Sequence, residues 1–219
     1  MCGVHMTYLF KIICEKDLPW RSAETIAEIL KRSAEPFGIK RDDIGARYVE
    51  KNKAWFLLRD RKKEGEFLAV LFMVLRSNGN SVLKIFRYDP IDGSLALMFQ
   101  RGSHKFLTRK ILLIPAKNIV RIRTITPIRT INLRRTLNPE YWVNTYLKDR
   151  DKPVFQPLRY NLSFKHDGSC WQVRGSMIVR TKGDPINVGF VLRHMYVLGL
   201  GLDTDLGYGF LQINVFEKT

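Results

Sequence analysis

The stretch DPINVGFVLRHMYVLGLGLDTDLGYGFLQINVF, Asp184 to Phe216, predicts a helix, a glycine-rich loop and a strand in immediate succession. Asp184 followed by Pro185 starts the helix: the carboxylate caps free amides, and proline's missing N–H costs nothing in the first turn. Val188, Val191, Leu192, Met195 and Leu198 then recur at spacings of three and four, which places them on one buried stripe. Gly199 closes the helix in a left-handed conformation. Beyond the loop, Leu211, Ile213 and Val215 alternate with Gln212, Asn214 and Phe216 as a strand does. The loop itself, Gly199-Leu-Gly201-x5-Gly207-Tyr-Gly209, holds four glycines in eleven residues.

Glycines at that density supply positive φ or let another backbone come close, as in a tight turn, and their amides can also form a concavity suited to phosphate. A P-loop is excluded because no Gly-Lys-Ser/Thr is present, and a dinucleotide fingerprint because the segment follows a helix. Leu206 to Ile213 imitates the RNA-recognition-motif signature, but Leu206 stands where that signature opens on a basic residue. Asp203 and Asp205 lie among the glycines, where carboxylates repel phosphate unless they point away.

The 219 residues suffice for one or two domains. Thirty-seven Lys and Arg against 21 Asp and Glu leave a net charge of +16, which points to an anionic polymer as partner. Between Gly93 and Pro139 there are ten Lys or Arg and no acidic residue. Cys2, Cys14 and Cys170 are far apart and form no CxxC pair, so each reads as a reduced thiol and no metal or cofactor is expected. Phe67 to Leu75 is the longest apolar run, too short to cross a bilayer, and the expected setting is cytoplasmic, away from membranes.

In chain order, Tyr8, Phe10 and Ile12 begin a strand, and Ser22 caps a helix with the stripe Ala23, Ile26, Ala27, Leu30 and Ala34, ended by Pro36 to Gly38. Strand-like runs follow at Ala54–Leu58, Phe67–Leu75, Val82–Tyr88 and Leu95–Phe99, with Asn78-Gly79 and Asp92-Gly93 as turns. No second helix is read in this half; Lys105 to Ile114 is the only region that offers one. The second half begins with Val120, Ile122 and Thr124 alternating with Arg121 and Arg123, and Asn138-Pro139-Glu140 opens a short helix through Leu147. A strand through Tyr160, Leu162 and Phe164 turns at Asp167-Gly168 into a strand whose outer face carries Gln172, Arg174, Ser176, Arg180 and Lys182. With the closing helix and strand the order is β-α-β-β-α-β, a ferredoxin-like unit. The fold class is therefore α+β, with tandem ferredoxin-like domains at 1–115 and 116–219, the first strand-rich and diverged.

This layout resembles the RAMP superfamily of CRISPR-associated proteins, and within it the endoribonucleases that cut repeat transcripts into guide RNAs. Three features carry the resemblance: the glycine loop Gly199 to Gly209, the segment Thr124-Ile-Thr-Pro-Ile-Arg129, and Val173-Arg-Gly175. It implies a protein that grips CRISPR repeat RNA along a basic cleft and cleaves it without metal, the ribose 2′-OH attacking the adjacent phosphate. It also implies other effector subunits as partners, or, in the alternative, a non-catalytic subunit that holds guide RNA; pairing with a second copy stays open. Family members place a catalytic histidine after the opening helix, whereas here no histidine occurs between Ile13 and Arg101. The catalytic candidates are His104, Tyr48 and Lys51. His166 and His194 read as idle or structural. For RNA binding the candidates are Arg121, Arg123, Arg129, Arg174, Arg180 and Lys182, the loop glycines Gly199, Gly201, Gly207 and Gly209, and Tyr208 as a stacking ring.

Overall fold

The alternation in Tyr8–Cys14 (β1) sends Phe10 and Ile12 to a face that helices cover, and the strand takes the centre of its sheet because both its edges are paired. The computed structural model describes residues 7–102, 109–111, 119–147 and 152–215. The chain divides into two compact units, Met1–Leu112 with Asp205–Gly207, and Leu113–Thr204 with Tyr208–Thr219. Among the described residues no helix is long and apolar enough to cross a membrane.

In the first unit β1 is followed by α1 (Ala23–Ala34), β2 (Ile44–Glu50), β3 (Lys53–Leu58), α2 (Glu64–Ser77), β4 (Val82–Asp89), β5 (Ser94–Gln100) and β6 (Arg109–Ile111). The sheet runs β2-β3-β1-β4-β5-β6 with antiparallel pairing throughout. Its first four strands and two helices make a complete ferredoxin-like unit, and β5 and β6 extend it beyond β4. Ser22 caps α1 by accepting from the Thr25 amide, and Gly38, at φ 69°, closes the short 3-10 turn that follows the helix.

The strand expected over Phe67–Leu75, and with it the absence of a second helix, is corrected by α2. An unbroken apolar run carries no period of its own, so strand and buried helix look alike. Packing separates them: Phe67, Val70, Leu71, Val74 and Leu75 are buried at helical spacing, while Met73 on the other side is 46% exposed. Asn78-Gly79 accordingly ends a helix, the Gly79 amide donating to the Arg76 carbonyl. Lys105–Ile114 lies largely outside the described residues, and its described part, β6, is a strand.

The second unit contains β7 (Ile119–Thr124), β8 (Ile128–Thr130), α3 (Leu133–Thr136), α4 (Pro139–Tyr146), β9 (Val154–His166), β10 (Trp171–Lys182), α5 (Pro185–Leu198) and β11 (Leu211–Val215). β10 pairs with β9 along its whole length on one edge. On its other edge β7 meets Ser176–Arg180 and β8 meets Trp171–Val173, and β11 lies beyond β7. That order, fourth-first-third-second, is the ferredoxin-like one. Asp184 accepts from the Asn187 amide to cap α5, whose Val188, Val191, Leu192 and Met195 pack on Val120, Ile122, Val173, Met177 and Val179. All helical packing falls on one face of this sheet, and the odd-numbered residues of β10 supply it. Gly199 ends α5 at φ 74° and ψ −169°, a conformation open to glycine alone rather than the left-handed helical one expected.

Candidate nucleic-acid interface

Register decides which side chains share the helix-free face of the second sheet, because directly paired residues point the same way. Arg121 pairs with Ile178 and Asn214, Arg123 with Ser176 and Gln212, and Ile178 pairs in turn with Arg159. Arg174 lies opposite Ser163, Gln172 opposite Lys165, and Arg180 opposite Gln156. Arg121, Arg123, Arg174, Arg180 and Lys182 are thus brought together, all exposed, and Arg159 and Lys165 join them. No acidic side chain occupies these register positions, and among the described residues none of the seven cations forms an ion pair. Arg159 and Lys165 escaped the sequence reading, although their alternation with Tyr160, Leu162 and Phe164 is visible there.

Arg129 sits at the end of β8 and is spent differently. Its guanidinium donates to Asp203 at 2.7 Å and Cys170 Sγ at 3.1 Å, lies 3.7 Å from Asp167, and stacks 5.0 Å from the Tyr208 ring centroid. The Cys170 amide, the Gln172 side chain and Ser169 hold the Asp167 carboxyl well below the usual carboxylate range. Arg129 and Tyr208 therefore engage each other and the loop. Arg129→Met should cost up to about 1 kcal/mol of stability by taking the ion-pair partner from the partly exposed Asp203 while leaving the salt dependence of RNA binding unchanged. Arg121→Met should do the reverse, lowering the slope by about 0.7; melting curves and salt titrations read the two effects separately.

The glycine loop interlocks with the other two segments that suggested the family. The Thr124 hydroxyl accepts from the Gly175 amide at 2.9 Å, and the Phe210 amide donates to Thr126 Oγ1 at 2.9 Å. The Gly209 amide donates to the Pro127 carbonyl at 2.7 Å and the Leu202 amide to that of Arg129 at 2.8 Å. Gly199, Gly201, Gly207 and Gly209 all have positive φ, and Gly199, Gly207 and Gly209 are buried. A Cβ on Gly201 would come 2.3 Å from the Arg129 carbonyl oxygen, and one on Gly209 1.9 Å from that of Leu200. The amides of Gly199, Leu200, Leu202, Tyr208, Gly209 and Phe210 all donate within the protein. The loop's hydrogen bonding thus serves a staple between strands, and its carboxylates point at protein cations: Asp203 at Arg129, and Asp205 at the buried Lys31, 3.4 Å away. Phe210 is core, 2% exposed.

In the first unit the helix-free face carries Tyr48, Trp55, Lys11 and Phe86 in one row across four strands, with Lys53, Ile13 and Lys84 in the next. Burial, and then the Glu50 carboxylate, push the Tyr48 phenol above its ordinary value. Lys51 occupies the β2–β3 turn at φ 50°, exposed, its carbonyl accepting from the Leu18 amide. His104 lies outside the described residues. His166 accepts from the Gly168 amide at 3.2 Å, and His194 is buried with Nδ1 2.8 Å from the Phe190 carbonyl.

No family model matches the chain, and no curated protein matches it in sequence. In structure it is similar to a Cas6 protein of Thermus thermophilus (TTHB231), 14% identical, over 95% of this chain and 98% of that one, with a TM-score of 0.53. It is similar as well to Cas6 (TTHA0078) in a substrate mimic complex, 11% identical over 95% of this chain and 100% of that one, at 0.51. The product complex of Cas6 (TTHA0078) matches at 11% identity over 96% and 100%, again at 0.51. At these identities the shared property is the fold: tandem ferredoxin-like units spanning nearly the whole chain.

Proposed function

We propose that the chain is a CRISPR-associated endoribonuclease of the RAMP superfamily that binds repeat RNA and cuts it within the repeats. The observation that carries this proposal is the acid-free row of cations on the open face of the second sheet, set in a fold shared with Cas6 proteins. Guanidiniums at such spacing, without internal partners, suit a phosphate backbone.

In the proposed reaction the ribose 2′-OH attacks the adjacent phosphorus, the bond to the 5′-oxygen breaks, and the product keeps a 2′,3′-cyclic phosphate. A base takes the 2′-hydroxyl proton, an acid delivers one to the departing 5′-oxygen, and a cation stabilises the charge between them. No metal or cofactor takes part. His104 is assigned the proton transfers, since an imidazole titrates near neutrality. The raised Tyr48 phenol stays protonated and suits hydrogen-bond donation to the phosphate, and Lys51 supplies positive charge.

A second proposal, a non-catalytic subunit that holds guide RNA beside other effector proteins, is favoured by one observation. The sequence holds no histidine between Ile13 and Arg101, and His166 and His194 are engaged in their own hydrogen bonds. Incubation with a repeat-containing transcript in EDTA separates the two. The nuclease gives one discrete cut with a cyclic-phosphate end, and His104→Ala slows it by about a hundredfold or more. Binding without a cut selects the non-catalytic subunit, and full activity in both His104→Ala and Tyr48→Phe overturns the assignment of catalytic residues.

A further inference from the structure

The helix-free face of the first sheet differs in chemistry from that of the second. Where the second presents guanidiniums, the first presents rings. Tyr48 of β2 and Trp55 of β3 are directly paired, their centroids 5.4 Å apart and their planes at 46°. The Lys11 ammonium lies 5.2 Å from the Trp55 centroid, and Phe86 of β4 completes the row on the far side of Lys11. All four side chains are half-buried, so each keeps part of its surface in solvent. Beside them run Lys53 and Lys84, both paired with Ile13, one from each adjoining strand.

Two features distinguish this row from an ordinary solvated face. Half-exposed aromatic rings on the side of a sheet that its own helices do not cover add nothing to the helix-side core, yet three occur in one row. In addition, burial and then the nearby Lys53 charge depress the Lys11 ammonium, and among the described residues Lys11, Lys53 and Lys84 form no ion pair. Like charges next to rings favour a ligand that brings anions and flat apolar surfaces together. Glu50, opposite Lys53 at the rim, is the acidic residue in these two rows.

Resting on the proposal that the chain binds RNA, we infer that this face seats unpaired nucleotides, their bases stacked on Trp55, Tyr48 and Phe86 and their phosphates met by Lys11, Lys53 and Lys84. Stacking suits single strands because every base offers a π-face once it is out of a helix, and a duplex hides those faces.

The test compares an unpaired RNA of about eight nucleotides with a blunt RNA duplex, each labelled and followed by fluorescence anisotropy against the full chain. Trp55→Ala should weaken the unpaired RNA about tenfold or more and leave the duplex within about twofold of the parent, and Trp55→Phe should restore most of the loss. Trp55→Leu, which keeps apolar bulk without a stacking face, should behave as Trp55→Ala does and guards against simple misfolding. Equal affinity of parent, Trp55→Ala and Trp55→Leu for the unpaired RNA overturns the inference, as does an equal loss on both RNAs. If those results coincide with an RNA affinity that falls on removal of Arg121 and Arg180, the stacking site fails and RNA binding stands. If the parent binds neither RNA, both fail together.

Discussion

Replacing Arg121, Arg123, Arg174 and Arg180 together by alanine will flatten the salt dependence of RNA binding by about three units of log–log slope, at about 0.7 per phosphate contact on single strands. These four are exposed on one face with Arg159, Lys165 and Lys182. Seven such contacts give a slope near five, so raising salt from about 50 to about 200 mM should cost the parent about a thousandfold in affinity. The variant should lose only about twentyfold over the same range. The side chains make no internal ion pair among the described residues and lie opposite the helix-packed face, so the melting temperature should hardly move. A parent slope that survives the quadruple substitution would mean that RNA is held elsewhere.

Gly209→Ala is expected to have the largest effect on stability. The position combines φ 63° with a Cβ that would sit 1.9 Å from the Leu200 carbonyl oxygen, which in turn is close because the Leu200 amide donates to Gly209. Backbone cannot swing aside as a side-chain tip can. Strain and overlap together should cost about 3 kcal/mol or more, enough to lower the melting temperature by many degrees. Gly79→Ala provides the control: φ 67° with nothing within 4 Å of the added methyl. There the cost is backbone strain alone, about 1 kcal/mol. Gly65→Ala, inside α2 with open space around it, should stabilise by up to about 1 kcal/mol. Equal melting of Gly209→Ala and Gly79→Ala would show that the loop tolerates a side chain and is not a staple.

The two substitutions separate functions that the sequence had merged. Glycines and arginines read together as one phosphate-binding set, because residue type says what a group is able to do and not whether a partner inside the protein has claimed it. Arg129 and Arg121 look alike in the sequence, both alternating with apolar residues near a proline. Only the fold brings Asp203, Asp167 and Cys170 to Arg129 and leaves Arg121 among Ile178, Ser176 and Asn214. The carboxylates that argued against a phosphate loop are explained by protein cations, Asp203 by Arg129 and Asp205 by Lys31. Trp55 and Lys11 lie over forty residues apart in the sequence and become neighbours only through the pairing of β1 with β3.

By itself the sequence determined the second ferredoxin-like unit almost element by element, since its strands alternate, its helices are capped by Asn or Asp residues and its turns carry glycine, all of which are local effects. It determined as well that the chain is strongly cationic and that the glycine loop needs positive φ. The tertiary structure decided that Phe67–Leu75 is a helix, because an unbroken apolar run takes its period from whatever it packs against. It also decided which cations are free to meet a ligand, because an ion pair depends on distance across strands and loops, which no local pattern encodes.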